Sequence, residues 1–310
     1  MNVVETRDLT KLYGDVHALD GVTLTVPEGS VFGFLGPNGA GKTTMLRVLL
    51  GLARPTSGGA TIFGHDVQSE RDAVHARVGF LPDVPGFYPW MTGAEFLRFA
   101  GSLFGIPEPT LTERAHALLE MAGLAGNPNP VGGYSRGMKQ RLGIAQALIN
   151  APDLLVLDEP TSALDPLGRA DVLTMIGSLR GRTTVLFSSH LLGDVERICD
   201  QVAVLDRGRL VVQGSVAELR RAHGGSTTVR IAVTEGIDRV VAAVAAEPWC
   251  VRHAPVVDDG QATDVVVSDL AAARRAVPGI VAGLGVGLRR FDELEASLEE
   301  VFVGLVGVNR

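Results

Sequence analysis

The stretch Gly36-Pro37-Asn38-Gly39-Ala40-Gly41-Lys42-Thr43-Thr44 narrows the choice of fold more than any other part of the chain. It has the spacing G-x-x-x-x-G-K-[ST]. It stands between a short apolar run, Val31-Phe32-Gly33-Phe34-Leu35, and a helical pattern from Lys42 to Leu50. Strand, glycine-rich turn and helix in that order make a phosphate-binding loop. The glycines let backbone N–H groups curl around an anion without interference from Cβ, and the helix aims its positive end at the same point. Lys42 is expected to reach the β- and γ-phosphates of a nucleotide, and the Thr43 hydroxyl to ligate Mg²⁺. A flexible glycine-rich turn before a helix is the plainer alternative, and the preceding strand weighs against it.

A second segment supplies the matching half. Leu154-Leu155-Val156-Leu157 reads as a buried strand that ends in Asp158-Glu159. The strand end would deliver Asp158 to the Mg²⁺ shell and place Glu159 to polarise an attacking water. Adjacent acids are commonly no more than a solvated turn. Here they cap a buried strand in a chain that already carries a phosphate loop.

Around these two motifs the pattern alternates. Residues 2–8 and 21–27 read as strands joined by a loop about Tyr13-Gly14-Asp15. Residues 93–123 read as helical with a break at Gly105 to Pro109. A Gly/Asn/Pro-rich loop covers 123–133, and a helix runs from about Ser135 to Asn150. Strand-like runs at Thr183–Phe187 and Gln201–Leu205 alternate with helices, which implies a largely parallel sheet covered by helices. The texture changes near His223-Gly224-Gly225-Ser226. Beyond it the order is strand 229–233, helix 237–246, strand 251–257, strand 263–267, helix 269–276, strand 283–290 and helix 292–303. That is close to a βαββαβ unit. The expected class is α/β: a P-loop NTPase domain over residues 1–224 with a helical subdomain at about 84–150, then a small ferredoxin-like α+β accessory domain over 225–310.

Composition excludes several partners. The chain has 310 residues, enough for one large domain and a small one, and its formal net charge of −7 offers no basic patch for a phosphate backbone. Nucleic acid is therefore not an expected partner. Cys199 and Cys250 stand far apart without metal-ligand spacing and read as reduced core thiols. The first residues lack the apolar run of a signal peptide. The longest candidate span, Ala276 to Leu288, is broken by Pro278 and several glycines and falls short of the roughly 20 residues a membrane helix needs.

Taken together, these segments resemble the ABC ATPase family over about residues 1–220. The decisive one is Tyr134-Ser135-Arg136-Gly137-Met138-Lys139-Gln140-Arg141, which is similar to the family's signature motif. Ser135 and Gly137 match its common form, Arg136 replaces its first glycine and Tyr134 its leucine. Pro160-Thr161-Ser162-Ala163-Leu164-Asp165 is similar to the D-loop, and Phe187-Ser188-Ser189-His190 to the switch region. The resemblance implies that His190 contacts the γ-phosphate and that Tyr13, in Lys11-Leu12-Tyr13-Gly14, stacks on adenine, with a core tyrosine as the rival reading. Asp83 stands where the family usually has glutamine. It can offer oxygen to Mg²⁺ or water, but it adds charge and loses an amide donor. Lys42, Ser135, Glu159 and His190 are thus the expected catalytic set. Tyr13, Gly36 to Thr44, Ser135 and Gly137 are the expected nucleotide contacts, and Thr43, Asp158 and Asp83 the metal ligands.

The same resemblance implies ATP and Mg²⁺ as cofactors and a homodimer in which the signature serine faces the partner's nucleotide. It also implies a separate polytopic membrane permease and a position at the cytoplasmic face of the membrane. Two cassettes in one chain, or long coiled coils between P-loop and signature, would mark other branches of the family, and this chain has neither. Phe291 to Leu305 and Leu81 to Pro89 resemble drug-resistance and antibiotic exporters. An importer ATPase with a regulatory C-terminal domain is the alternative.

Overall fold

In the computed structural model, residues 1–223, 227–256 and 259–294 are described. The chain divides into two compact units, Met1–Val216 and Ala217–Arg310.

The first unit opens with two long strands, β1 (Asn2–Tyr13) and β2 (Val16–Pro27), which pair as an antiparallel hairpin turning at Gly14-Asp15. Both extend further toward the turn than the apolar pattern indicated. Register shifts along the ladder let polar residues at 7, 8 and 11 stay in strand while the apolar ones turn inward. Strand β3 (Val31–Leu35) is buried at every residue and feeds the phosphate loop and helix α1 (Lys42–Leu49). There follow β4 (Ser57–Ile62), the two-residue β5 (His65–Asp66), a one-turn helix α2 (Arg71–His75) and β6 (Val78–Leu81). None of β4, β5 and α2 carries a periodic signal in the sequence. Strands β1, β2, β4 and β5 form one antiparallel sheet in the order β2-β1-β4-β5.

Helices α3 (Gly93–Ser102), α4 (Glu108–Met121) and α5 (Arg136–Ala147) form the helical segment. Their starts are legible chemistry. Thr92 and Glu95 make a reciprocal capping box on α3, Pro109 sits in the first turn of α4, and Ser135 caps α5 by accepting from Met138 N–H at 3.2 Å. The chain then returns to the second sheet through β7 (Leu154–Leu157), α6 (Pro166–Gly177), β8 (Thr184–Ser189), α7 (Leu192–Ile198), β9 (Gln201–Asp206) and β10 (Arg209–Ser215). Its order is β10-β9-β3-β8-β7-β6, parallel except for the β9–β10 pair. Phe32, Phe34, Met45, Leu46 and Leu49 join Val4, Val22 and Ile62 in one continuous core that fixes α1, and with it the phosphate loop, between the two sheets. Helix α8 (Val216–His223) follows; the change of composition lies at its far end.

In the second unit, β11 (Thr227–Val233), α9 (Ile237–Ala245), β12 (Cys250–Pro255), β13 (Ala262–Val267), α10 (Leu270–Gly283) and β14 (Leu288–Leu294) follow in turn. The four strands make an antiparallel sheet ordered β12-β13-β11-β14. Three expectations are corrected here. Helix α10 does not stop at 276 but continues through Pro278, because Ala273, Val277 and Val281 recur at helical spacing and pack into the core. The last strand accordingly begins at Leu288, not at 283. Asp292 and Leu294 belong to it, paired with Arg230 and Thr228 of β11, where the sequence suggested a helix. The rest of that expected helix, from 295, lies outside the described residues, as does residue 257 of the expected strand 251–257. Among the described residues no helix is long and apolar enough to cross a membrane. Both cysteines are free thiols; Cys199 is buried and Cys250 partly so.

Candidate active site

The phosphate loop leaves β3 at Gly36 and enters α1 at Gly41. A Cβ on Gly36 would lie 2.4 Å from the Leu205 carbonyl oxygen, and one on Gly41 would lie 2.4 Å from that of Ala18. Gly41 also holds φ at 105°, where a side chain is strained. The two glycines are therefore required by the packing of the loop itself. Lys42, only 6% exposed, turns its ammonium back to donate to the carbonyls of Gly36 at 2.7 Å and Pro37 at 3.3 Å. Its third partner is the Glu159 carboxylate at 3.2 Å.

The acidic half comes from the end of β7. Asp158 is buried. Its Oδ1 accepts from the Thr43 hydroxyl at 3.2 Å and from the Ser188 hydroxyl at 2.7 Å. Burial pushes its pKa above the usual carboxylate range, and the charges of Glu159 and Asp83 push the same way. The hydrogen bonds from Ser188 and Thr43 oppose the shift. Glu159, next in sequence, takes the left-handed backbone at φ 49°, uncommon for a residue with a side chain. Its N–H donates to Ser188 Oγ at 2.9 Å, and its carboxylate lies between the Lys42 ammonium and His190 Nδ1, the latter at 2.8 Å.

A cleft of 460 Å³ opens over these groups, lined by Asn38 to Thr44, Val16, His17, Ala18, Asp83, Glu159, Ser162 and His190. Most of the expected residues thus meet in one place. Gly36, Pro37 and Asp158 lie behind the cleft wall and support it through Lys42 and Thr43. Three expected contacts do not line it. Tyr13 stands 49% exposed at the hairpin turn with the Lys11 ammonium 4.7 Å from its ring centre, so it is not a core tyrosine. Ser135 and Gly137 are at the start of α5, where it runs beside α6: a Cβ on Gly137 would make ordinary contact with Gly168 Cα at 3.5 Å. Residues to which the sequence assigned no role of their own are Val16, His17, Ala18 and Ser162 on the wall, Ser188 beneath it, and Asp194 on α7. Asp194, 1% exposed, accepts from Thr161 Oγ1 at 2.6 Å and from Arg169 Nε. It ties the segment after Glu159 to the helix after His190. For Ser188 and Asp194 the available signal was a polar residue next to an apolar run; Val16 and His17 carry none.

The donor set fits a nucleoside triphosphate with Mg²⁺. A cation and a helix N-terminus face a glycine-built cradle. Thr43 and Asp158 bring hard oxygens together, and magnesium is held by one or two carboxylates plus substrate phosphates, not by an all-protein cage. A family model described as ABC transporter matches residues 19–162. An ABC transporter ATP-binding protein of Bacillus subtilis strain 168, YxlF, is 37% identical over 98% of this chain and 99% of its own length. This chain belongs to the ABC transporter ATPase family.

The daunorubicin/doxorubicin resistance ATP-binding protein DrrA of Streptomyces peucetius is 36% identical over 98% of this ABC ATPase and 92% of its own length. Among solved structures, a dimeric ATP-binding cassette in a post-hydrolysis state with ADP and Pi superposes with a TM-score of 0.62. It is 26% identical and covers 69% of this chain and 98% of that one. The first unit is thus an ABC ATPase domain, which binds ATP and hydrolyses it to power transport.

Proposed function

We propose that this ABC ATPase energises the export of drugs or other small molecules through a separate polytopic permease, working as a homodimer at the cytoplasmic face of the membrane. The observation that carries the reading is an incomplete site. The cleft gathers Lys42, Glu159 and His190, yet Ser135 and the start of α5, which the family resemblance assigns to the triphosphate, are not among its walls. A second copy would supply them. Similarity to DrrA along nearly the whole chain, the second unit included, favours export.

Within that reading, Lys42 and the backbone of Gly36 to Thr44 hold the β- and γ-phosphates, Tyr13 stacks on the adenine, and Thr43, Asp158 and Asp83 take the metal. Mg²⁺, when bound, supplies charge neutralisation at the transferring phosphoryl group. Glu159 orients and deprotonates the attacking water. Its ion pair with Lys42 must open first, because a carboxylate held by an ammonium is a poor base; phosphate oxygens drawing Lys42 away would free it. His190, already bonded to Glu159, steadies the carboxylate and reaches the γ-phosphate. Ser135 and Gly137 of one protomer complete the other's site. The domains are assigned as 1–224, with a helical subdomain at about 84–150, and 225–310. The βαββαβ order with strands β12-β13-β11-β14 supports a ferredoxin-like class for the second.

Purification from membranes tests the reading. A polytopic permease should co-purify without a substrate-binding protein, and two copies should assemble on a non-hydrolysable ATP analogue but fail to with Ser135→Ala. A co-purifying extracytoplasmic binding protein would turn the assignment to import. Assembly unaffected by Ser135→Ala would remove the shared site.

A further inference from the structure

We propose that Ser188 is a positioning residue that sets both acidic groups of the site through a single hydroxyl. The inference rests on the reading that Asp158 is a metal ligand. Strands β7 and β8 pair in parallel up to Leu157 and Phe187, and there the ladder ends. One residue further, Ser188 is 0% exposed and its Oγ does what the backbone no longer can: it accepts from Glu159 N–H at 2.9 Å and donates to Asp158 Oδ1 at 2.7 Å. A hydroxyl has one proton to give, and here it goes to the carboxylate.

Two consequences follow from this geometry. Glu159 holds a left-handed backbone that only its surroundings can maintain, and the bond from its N–H to Ser188 is one of them. Thr43 and Ser188 also converge on the same oxygen of Asp158, so the carboxylate is fixed in rotation and Oδ2 is left without a hydrogen bond among the described residues. A ligand carboxylate oriented by a buried outer partner binds metal more tightly than one free to turn, and loss of such a partner typically costs about 10–100-fold in affinity.

The neighbouring serine is a built-in control. Ser189 is equally buried, but its Oγ accepts from Leu191 N–H at 3.0 Å and touches neither acid. Mn²⁺ is the probe, titrated by electron paramagnetic resonance into full-length protein carrying the ATP analogue adenylyl imidodiphosphate. Nucleotide affinity in excess EDTA is measured alongside. Ser188→Ala should weaken Mn²⁺ binding by about tenfold or more, with EDTA-state nucleotide affinity within about twofold of the parent, as expected where only the metal shell is disturbed. Ser188→Thr, which keeps the hydroxyl, should recover most of the loss. Ser189→Ala should lower the melting temperature without moving Mn²⁺ affinity. Parent-like Mn²⁺ affinity in Ser188→Ala, or an equal shift in Ser189→Ala, overturns the proposal. If Ser188→Ala does not fold, Ser188→Cys carries the test: its weak donor should give a partial loss, and parent-like affinity would again overturn the idea. Asp158→Asn separates the two levels. If it too leaves Mn²⁺ affinity unchanged, the metal reading fails; if it weakens binding while the Ser188 variants do not, only the role of Ser188 fails.

Discussion

Glu159 and Asp158 are neighbours in sequence with opposite surroundings. Glu159 lies between the Lys42 ammonium and the His190 ring and lines the cleft. Replacing it with glutamine keeps the shape but removes the basic oxygen. Single-turnover ATP hydrolysis should fall by roughly 10²–10⁴-fold, the span of a lost general base, while ATP affinity is retained. An unchanged single-turnover rate would take the base role from Glu159. Asp158 lies buried, and its raised pKa makes a statement about stability. At low pH it is protonated in both the folded and the unfolded chain, and burial carries no penalty for charge. As pH rises the unfolded chain ionises first, and the folded chain follows only above the raised pKa. The stability linked to the bound proton is therefore lost as pH climbs through the folded pKa. Calorimetry on nucleotide- and metal-free protein should find Asp158→Asn melting above the parent at neutral pH. The gap should close as pH falls into the ordinary carboxylate range.

Segments, not single side chains, carry these groups, and the bonds that join segments decide how firmly. Thr161 after β7, Arg169 on α6 and Asp194 on α7 share one buried carboxylate. Asp194 is almost wholly buried and Arg169 is 35% exposed, so the two partners are not equivalent under mutation. Removing the arginine strands a buried negative charge with one hydroxyl for company, which costs about 3–5 kcal/mol when a buried pair is broken. Removing the aspartate leaves a guanidinium that water can reach. In urea titrations Arg169→Met should therefore destabilise the first unit by about 3 kcal/mol, and Asp194→Asn by distinctly less. Equal losses would show that Arg169 is not the partner that holds Asp194 in place.

Among the described residues each unit has a core of its own. The second unit packs Val229, Ile231, Val265 and Val267 of its sheet against Val240 and Val244 of α9 and Val277 and Val281 of α10, with Trp249 at the edge. A core made wholly from residues of one unit supports independent folding. Residues 217–310 expressed alone should unfold cooperatively in denaturant. Trp249 should emit at shorter wavelength when folded, since it is the one tryptophan in that piece and is buried. A featureless titration would mean that this core cannot stand by itself.

The phosphate loop, the acidic strand end and the helix starts at Thr92 and Ser135 were readable because each depends on neighbours a few residues away. Glycine spacing, capping hydroxyls and an apolar run carry their own structural meaning over that distance. The same holds for the strand–helix order of the second unit. The path through Pro278 was not readable, because a helix-breaking residue was overruled by burial of Val277 and Val281, which depends on the sheet they meet. Strands β4 and β5 escaped for a related reason: glycine-rich and polar, they exist by pairing with β1 and with each other. The individual roles of Ser188 and Asp194 were not readable either, although Ser188 falls in the segment likened to the switch region. A lone serine or aspartate acquires its role only when a distant strand or helix places a partner within about 3 Å, and such pairings across 25 to 33 residues follow from how the sheets and helices stack.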